Sequence, residues 1–253
     1  MRVAVTGATG RMGGEVISAA QDRGDEVVVA VNRDVEDATV EGVAVEPAAD
    51  LPDLLSERDP EALVDFTGPE ACVEYVEAAA NAGVPAVVGT TGLDGDQEAA
   101  LRAAAEEIPV LRAANFSRGI QVLGDLVETA ADSLDGYDVE LTETHHNAKR
   151  DAPSGTAKEL LARLADHRDF EEVHGREGEA PRTTGEVGVH ARRAGDITGE
   201  HEVLFAGNDE VLTLTHRAES RGVFAAGALD SAHWVASRDA GYYTFGAVVG
   251  GDR

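Results

Sequence analysis

Short apolar runs alternating with stretches of helical spacing fill the first half of the chain. Val3-Ala4-Val5 predicts a buried strand, and Met12, Val16, Ile17 and Ala20 follow it at helical intervals. Glu26–Val31 predicts a second strand. The alternation then repeats. Ala62–Phe66 predicts a strand, Thr67-Gly68-Pro69-Glu70 a turn, and Val73, Val76, Ala79 and Ala80 one face of a helix. Pro85–Val88 predicts a further strand, followed by a helix over 96–107 and a strand over 109–112. Strand and helix in strict alternation predict an open parallel sheet of the Rossmann type.

Beyond a helix over 118–134 the pattern changes. Tyr137–Glu143 alternates with period two, as a strand with one wet face does. It delivers His145 and His146. Neighbouring strand residues point to opposite faces, so both histidines serve one pocket only if the strand ends or bends there. Asp151–Ala157 opens a helix that runs through Leu160, Leu161 and Leu164. Glu186–Arg192, Glu202–Phe205 and Glu210–His216 predict strands of an open mixed or antiparallel sheet, with Arg193-Ala194-Gly195-Asp196 in a turn. Such a sheet, with one exposed face, is a natural subunit interface. Residues 170–185, rich in Glu, Gly, Pro and Thr, are expected to be a mobile loop. A helix over 223–238 and the Tyr242–Val249 run close the chain. The fold expected is α/β, a Rossmann-type parallel-sheet domain over 1–117, joined to a second α+β domain with an open mixed sheet over 118–221.

The turn after the first strand carries Gly7, Gly10 and Gly13, a G-x-x-G-x-x-G variant of the dinucleotide fingerprint. The pattern is weak alone, but here it lies between two strands and opens a helix, which is the context the fingerprint requires. Gly7, Ala8, Thr9, Gly10, Arg11 and Met12 are therefore expected to hold a pyrophosphate on the helix N-terminus. In parallel sheets ligands bind beyond the carboxyl ends of the strands. Thr67, the Gly89-Thr90-Thr91 turn and the Ala113-Ala114-Asn115-Phe116 segment should lie along that crest, against the flat cofactor ring. At the end of the second strand Asn32 has no charge to repel a 2′-phosphate. Arg33 could bind one, while Asp34 is an alternative partner for a ribose hydroxyl. NADPH is expected as the cofactor, with NADH accepted.

The densest polar segment is Glu143-Thr144-His145-His146-Asn147-Ala148-Lys149-Arg150-Asp151, just ahead of Pro153-Ser154-Gly155-Thr156. Only two of the 21 basic residues are lysines, Lys149 and Lys158. A chain that otherwise uses arginine places a lysine beside paired histidines, where an ammonium can give up a proton and a guanidinium cannot. Amides at Gly155 and Thr156 would form a first helical turn, where free N–H groups and the helix dipole favour a carboxylate. Lys149 and this helix start thus converge on an anion. The single histidines His167, His174, His190, His201 and His233 are expected in surface or packing roles. No metal-ligand spacing stands out.

Composition narrows the setting. No apolar run approaches the ~18 residues of a membrane span, and Met1–Gly7 leads straight into a strand, with no secretory pattern. Cys72 is the only cysteine of the 253 residues, so neither a disulfide framework nor a thiolate metal site is expected. A cytoplasmic protein with no membrane or nucleic-acid partner follows. Against the 21 basic residues stand 48 acidic ones, a net charge of −27. The acidic residues are dispersed, and at ~1 M salt the Debye length is only about 3 Å. The charge is expected to reflect adaptation to concentrated salt.

Together these segments resemble the dihydrodipicolinate reductase family of the diaminopimelate route to lysine. The resemblance runs from Gly7–Gly13 through Asp65-Phe66-Thr67, Gly89–Gly92 and Asn115-Phe116-Ser117. It continues through Glu143–His146, Lys149 and Asp151–Ala157 to Arg193–Asp196 and Ser220-Arg221. The His-His pair with its lysine, followed by Asp-Ala-Pro-Ser-Gly-Thr-Ala, is its most specific part. It implies NAD(P)H-dependent reduction of a cyclic imine dicarboxylate, 4-hydroxy-tetrahydrodipicolinate. His145 and Lys149 would be catalytic, with His146, Gly155 and Thr156 binding substrate. It also implies a homotetramer built through the C-terminal sheet, with 222–253 returning to the cofactor domain. The family often has an acidic residue where this chain has Asn32. Two other readings fit parts of the pattern: another two-domain dehydrogenase of aspartate or homoserine type, and a non-catalytic NAD(P)-sensing regulator.

Overall fold

The computed structural model describes residues 1–35 and 38–250. In chain order it begins β1 (Arg2–Thr6), α1 (Arg11–Arg23) and β2 (Glu26–Asn32), then the short strands β3 (Thr39–Val40), β4 (Val43–Ala44) and β5 (Glu46–Pro47). Next come α2 (Leu51–Arg58), β6 (Ala62–Asp65), α3 (Pro69–Ala82), β7 (Ala86–Val88), α4 (Gly95–Ala104) and β8 (Pro109–Arg112). After these come α5 (Arg118–Ser133), β9 (Asp138–His145), α6 (Gly155–Ala165), β10 (Glu171–His174) and β11 (Glu186–Arg193). The chain closes with β12 (Gly199–Gly207), β13 (Glu210–Ala218), α7 (Gly222–Val235), β14 (Gly241–Thr244) and α8 (Phe245–Gly250). Two compact units result: Met1–Phe116 with the segment from Arg221 onward, and Ser117–Ser220.

In the first unit seven parallel strands form one sheet in the order β14-β8-β7-β6-β1-β2-β5. Successive residues of each inner strand feed opposite cores. Ala4, Leu63, Val88 and Val110 pack under α2, α3 and α4. Val3, Val5, Val64, Val87 and Leu111 pack under α1 and α7. Burial on both faces is why these strands read as unbroken apolar runs. β14 extends the sheet by pairing Gly241–Thr244 with Pro109–Arg112, so the C-terminal segment belongs to this unit.

The second unit is a mixed sheet, β10-β11-β9-β12-β13. Its first three strands are parallel, and β12 runs antiparallel to both of its neighbours, β9 and β13. One face packs Leu141, Val189, Val203 and Phe205 against Ile120, Leu123, Val127, Leu160, Leu161 and Leu164 of α5 and α6. The opposite face carries Glu140, Thr142 and His190, and β13 leaves Val211 and Leu212 exposed. Both helices start at a serine cap: Ser117 Oγ accepts from the Ile120 amide and Ser154 Oγ from the Ala157 amide.

Two features depart from the sequence expectation. Part of the 170–185 loop is a strand: Glu171–His174 pairs in parallel with Glu186–Val189. The rest is tied down by charge, Arg176 to Glu186 at 2.6 Å and Arg182 to Glu140. Composition signalled a loop because the ion partners lie on β9 and β11, outside the segment. Residues 39–58, for which the apolar pattern predicts no element, form three two-residue strands and α2.

Candidate functional site

The carboxyl ends of the parallel strands bring the expected cofactor residues to one edge. Gly7 follows β1 at φ +69°, a left-handed conformation that L side chains rarely adopt. Gly13 packs so tightly that a Cβ there would come within 2.2 Å of the Gly7 carbonyl oxygen. Gly10 caps α1, and no side chain satisfies that helix's first turn. The free N–H groups make it ready for an anion. These are the features a pyrophosphate cradle needs, and the residues present fit a dinucleotide. Beside them lies a cavity of about 360 Å³ lined by Gly7, Thr9, Gly10, Asn32, Arg33, Thr67, Glu70 and Tyr75, among others.

Not every expected residue meets that edge with its side chain. The Ala8 amide donates to Val31 O at 3.1 Å. The Phe116 ring is buried edge-on between Phe66 and Phe245, so only its backbone is left for a ligand. Thr90 is also buried. Its hydroxyl donates to Asp65 Oδ2 at 2.5 Å and accepts from the Thr67 amide at 2.9 Å. Asp65, fully buried, further accepts from Thr6 and Thr67 hydroxyls at 2.7 Å. One carboxylate thereby ties together the turns after β1, β6 and β7. Arg11, Thr9, Thr91 and Ala114 are exposed, and Met12, Gly89, Ala113 and Asn115 are half-buried. Arg33, also exposed, lines the same cavity as Tyr75, and its charge opposes the rise that burial gives the Tyr75 hydroxyl pKa.

In the second unit the site grows from the end of β9. The strand runs two residues further than the apolar pattern predicts and stops at His145, so His146 falls on the following turn. Glu143 and His145, two apart on one strand, share a face, and Glu143 Oε2 lies 2.6 Å from His145 Nδ1. The segment 146–149 is held by its backbone. Ala194 N–H donates to His145 O at 2.9 Å, and Asn147 N–H to Gly195 O at 3.1 Å. The Arg193–Asp196 turn is thus the buttress of the histidine segment. Lys149 Nζ sits 2.8 Å from Asp151 Oδ1. Burial alone would raise the Asp151 carboxyl, but the bond and charge of Lys149 hold it below its ordinary value. Gly155 and Thr156 open α6, and the Ser154 amide donates to Glu143 Oε1 at 3.1 Å. His145, Lys149 and the start of α6 are therefore joined through Glu143 and Asp151.

Three residues of this cluster were given no site role by the sequence. Glu143 is fully buried, Arg193 grips both its oxygens at 2.7 Å, and His201 is buried against His145 with ring centroids 5.2 Å apart. His201 Nε2 lies 3.0 Å from Ser154 Oγ, which also caps α6. Its Nδ1 has no partner. Burial, reinforced by the charge of His145, pushes His201 down to about 3. The packing role expected for His201 thus extends to the site. A signal was available: His201 lies on a strand of period-two pattern, facing the side that carries Val203 and Phe205.

His201 should make the fold acid-labile. Its pKa is about 3 when folded against 6.5 as a free side chain. The unfolded chain therefore binds the proton more tightly, and stability falls as pH drops below about 6.5 until about 3. Within that window the loss is about 1.4 kcal/mol per pH unit. The paired carboxylates Glu143 and Asp25, whose pKa values are lowered, lose stability only below their ordinary values of 4.5 and 3.8. Melting temperatures between pH 6.5 and 5 should therefore fall less steeply in His201→Gln, whose amide can still hydrogen-bond Ser154 Oγ. An unchanged slope would remove His201 as a source.

Comparison with known proteins decides the family. The N-terminal model of dihydrodipicolinate reductase matches residues 1–116 and the C-terminal model matches 119–249. This chain belongs to the dihydrodipicolinate reductase family. It is 57% identical to the 4-hydroxy-tetrahydrodipicolinate reductase of Haloarcula marismortui over 98% of both chains. To that of Natronomonas pharaonis it is 55% identical, covering 97% of this chain and 98% of the relative. Both relatives come from halophiles. A dipicolinate-bound dihydrodipicolinate reductase from Paenisporosarcina superposes with a TM-score of 0.79 at 25% identity, covering 98% of each chain. An amine dehydrogenase from Mycobacterium smegmatis reaches 0.67 at 16% identity, which shows a shared fold alone.

Proposed function

We propose that this protein reduces 4-hydroxy-tetrahydrodipicolinate with NADPH or NADH, in the route to diaminopimelate and lysine. The observation that carries the reading is the joined cluster of His145, Lys149 and the α6 start, in a chain whose two halves match the two halves of one reductase family. The first unit is the dinucleotide domain, and Gly7, Thr9, Gly10, Arg11 and Met12 hold the pyrophosphate through the open first turn of α1. Gly89, Thr91 and Ala113–Phe116 border the ring by backbone and small side chains. The nicotinamide, when bound, supplies the hydride.

The second unit holds the substrate. Gly155 and Thr156 present amides and a hydroxyl to one carboxylate, and the dipole of α6 favours the negative charge. His146 contacts the ring substituents. Lys149 leaves Asp151 to pair with substrate and supplies the proton to the position adjacent to hydride attack, while His145 exchanges that proton. Burial lowers the pKa of His145, with Lys149 and Arg193 adding to the effect and Glu143 opposing it. The imidazole is therefore neutral at working pH and ready to accept. The bare face of the second sheet, on which Val211 is exposed, is proposed as the interface of a homotetramer. No helix among the described residues is long and apolar enough to cross a membrane, in keeping with a proposed cytoplasmic setting.

A coupled assay with freshly generated cyclic imine, following NADPH and NADH loss at molar salt, tests the activity. Oxidation with aspartate-type substrates instead would point to another dehydrogenase, and none with any substrate to a sensor. Cofactor choice rests on Arg33, which shares its cavity with Glu70. A cation for a 2′-phosphate and a carboxylate for ribose hydroxyls fit a protein that uses both, with NADPH preferred. Arg33→Ala should raise KM for NADPH and leave that for NADH nearly unchanged. Equal shifts for both would show that Arg33 meets no 2′-phosphate.

A further inference from the structure

Glu143 is more fully engaged than a structural ion pair requires. Fully buried, it already has a bidentate partner, with Arg193 Nη1 on Oε2 and Nη2 on Oε1 at 2.7 Å each. Yet it also reaches His145 Nδ1 at 2.6 Å and accepts from the Ser154 amide at 3.1 Å. Three chain segments are joined on one carboxylate: the end of β9, the end of β11 and the start of α6. The register makes this possible, because Arg193 pairs with His145 across β11 and β9, and His201 faces Glu143 across β12.

We propose that Glu143 is a positioning residue for the proton transfer, fixing His145 with its proton on Nδ1 and Nε2 as the exchanging nitrogen. An ionised carboxylate only accepts hydrogen bonds, so the ring nitrogen against it must carry the hydrogen. Burial would raise the Glu143 carboxyl, but bonds from Arg193 and His145 hold it below its ordinary value, so it remains ionised. The groups facing His145 are Glu143 on its own strand, Arg193 on β11, His201 on β12 and Lys149 on the following turn. Of these only Glu143 stabilises the imidazolium. Arg193 in turn keeps the carboxylate from rotating, and a further bond from its Nη2 to Asp151 O at 2.6 Å ties the same arrangement to the lysine's partner. This role rests on His145 being the proton-exchanging group.

The test is Glu143→Gln, whose amide still offers an oxygen to Arg193 but turns an N–H₂ towards Nδ1, favouring the opposite tautomer. Loss of the correct tautomer lowers turnover by up to about 10⁴-fold. We expect kcat to fall about a hundredfold or more with KM for imine and NADPH within about threefold. The acid limb of the kcat profile should move to lower pH, because the one group raising the His145 pKa has lost its charge. In a His145→Ala background the same change should cost no more than about threefold, since residues acting as a unit are not additive. Nitrogen NMR of His145 gives a reading independent of turnover, with Nδ1 protonated in the parent and Nε2 in Glu143→Gln. Glu143→Asp, which keeps the charge beside buried Arg193 but draws back from the ring, serves should Glu143→Gln not fold. It should lose kcat without the pH shift.

A Glu143→Gln enzyme with kcat near the parent value, or with only KM raised, would overturn the proposal. So would losses that multiply in the His145→Ala background. If His145→Ala itself retains kcat while the NMR tautomer still follows Glu143, the hold on the ring stands and the catalytic reading of His145 fails.

Discussion

Lys149→Ala lowers kcat at least about a hundredfold and leaves NADPH binding intact. The expectation follows from what the side chain can do and what surrounds it. Its ammonium lies 2.8 Å from a half-exposed Asp151 carboxylate, a pair that substrate can displace. A surface pair of this kind is worth at most about 1 kcal/mol. Trading it for a substrate carboxylate costs little, and the ammonium then stands as both counter-charge and acid. Removing it takes away a charge-assisted contact and a proton source, the second of which contributes about 10²–10⁴-fold. Lys149→Arg separates the two, restoring the charge but not the proton, because guanidinium keeps its hydrogen. It should recover KM and leave kcat low. His145→Ala should also depress kcat, whereas Lys158→Ala, exposed on α6, should do little. Steady-state kinetics with the cyclic imine read all four. Near-normal kcat with a raised KM in Lys149→Ala would make Lys149 a binding residue and leave the proton to His145 alone.

Transfer from molar salt to about 0.1 M unfolds the protein. The chain carries a net charge of −27, and most carboxylates have no cation to neutralise them. At ~0.1 M the Debye length is about 10 Å, comparable with spacings on a crowded surface, whereas at ~1 M it is about 3 Å. Self-repulsion that concentrated salt removes is thus restored in dilute buffer, and it works against the compact state. Buried pairs such as Glu143 with Arg193 are screened little at either extreme, so the site should be among the last regions to respond. Circular dichroism melts across that range should show a falling melting temperature and loss of helix at the low end. A melting temperature that does not move with salt would mean the charge has another cause. The source of the two relatives fits the expectation.

Much was legible in the chain itself, for local reasons. Runs such as Val3-Ala4-Val5 and Leu63-Val64 specify strands buried on both faces because their neighbours in sequence become opposite faces of one sheet. The glycine turn, the period-two pattern of β9 and the Ser154 cap are all decided within a few residues, where sterics and hydrogen bonding act directly. So are the candidates His145, Lys149, Gly155 and Thr156, which lie on one short stretch.

Tertiary structure decided which distant groups reach them. Arg193 meets Glu143 across 50 positions because β9 and β11 pair in a particular parallel register. His201 meets His145 because the antiparallel register of β12 on β9 sets it opposite Glu143, two residues before His145 on the same face. Strand register is set by the sum of many cross-strand contacts, and a one-residue slip would turn every side chain over. The same holds for the expected loop at 170–185, which became partly a strand once β11 offered an edge. Period and composition identify a strand and its wet face. Which buried carboxylate ends beneath which histidine depends on non-local pairing, and only the folded sheet contains it.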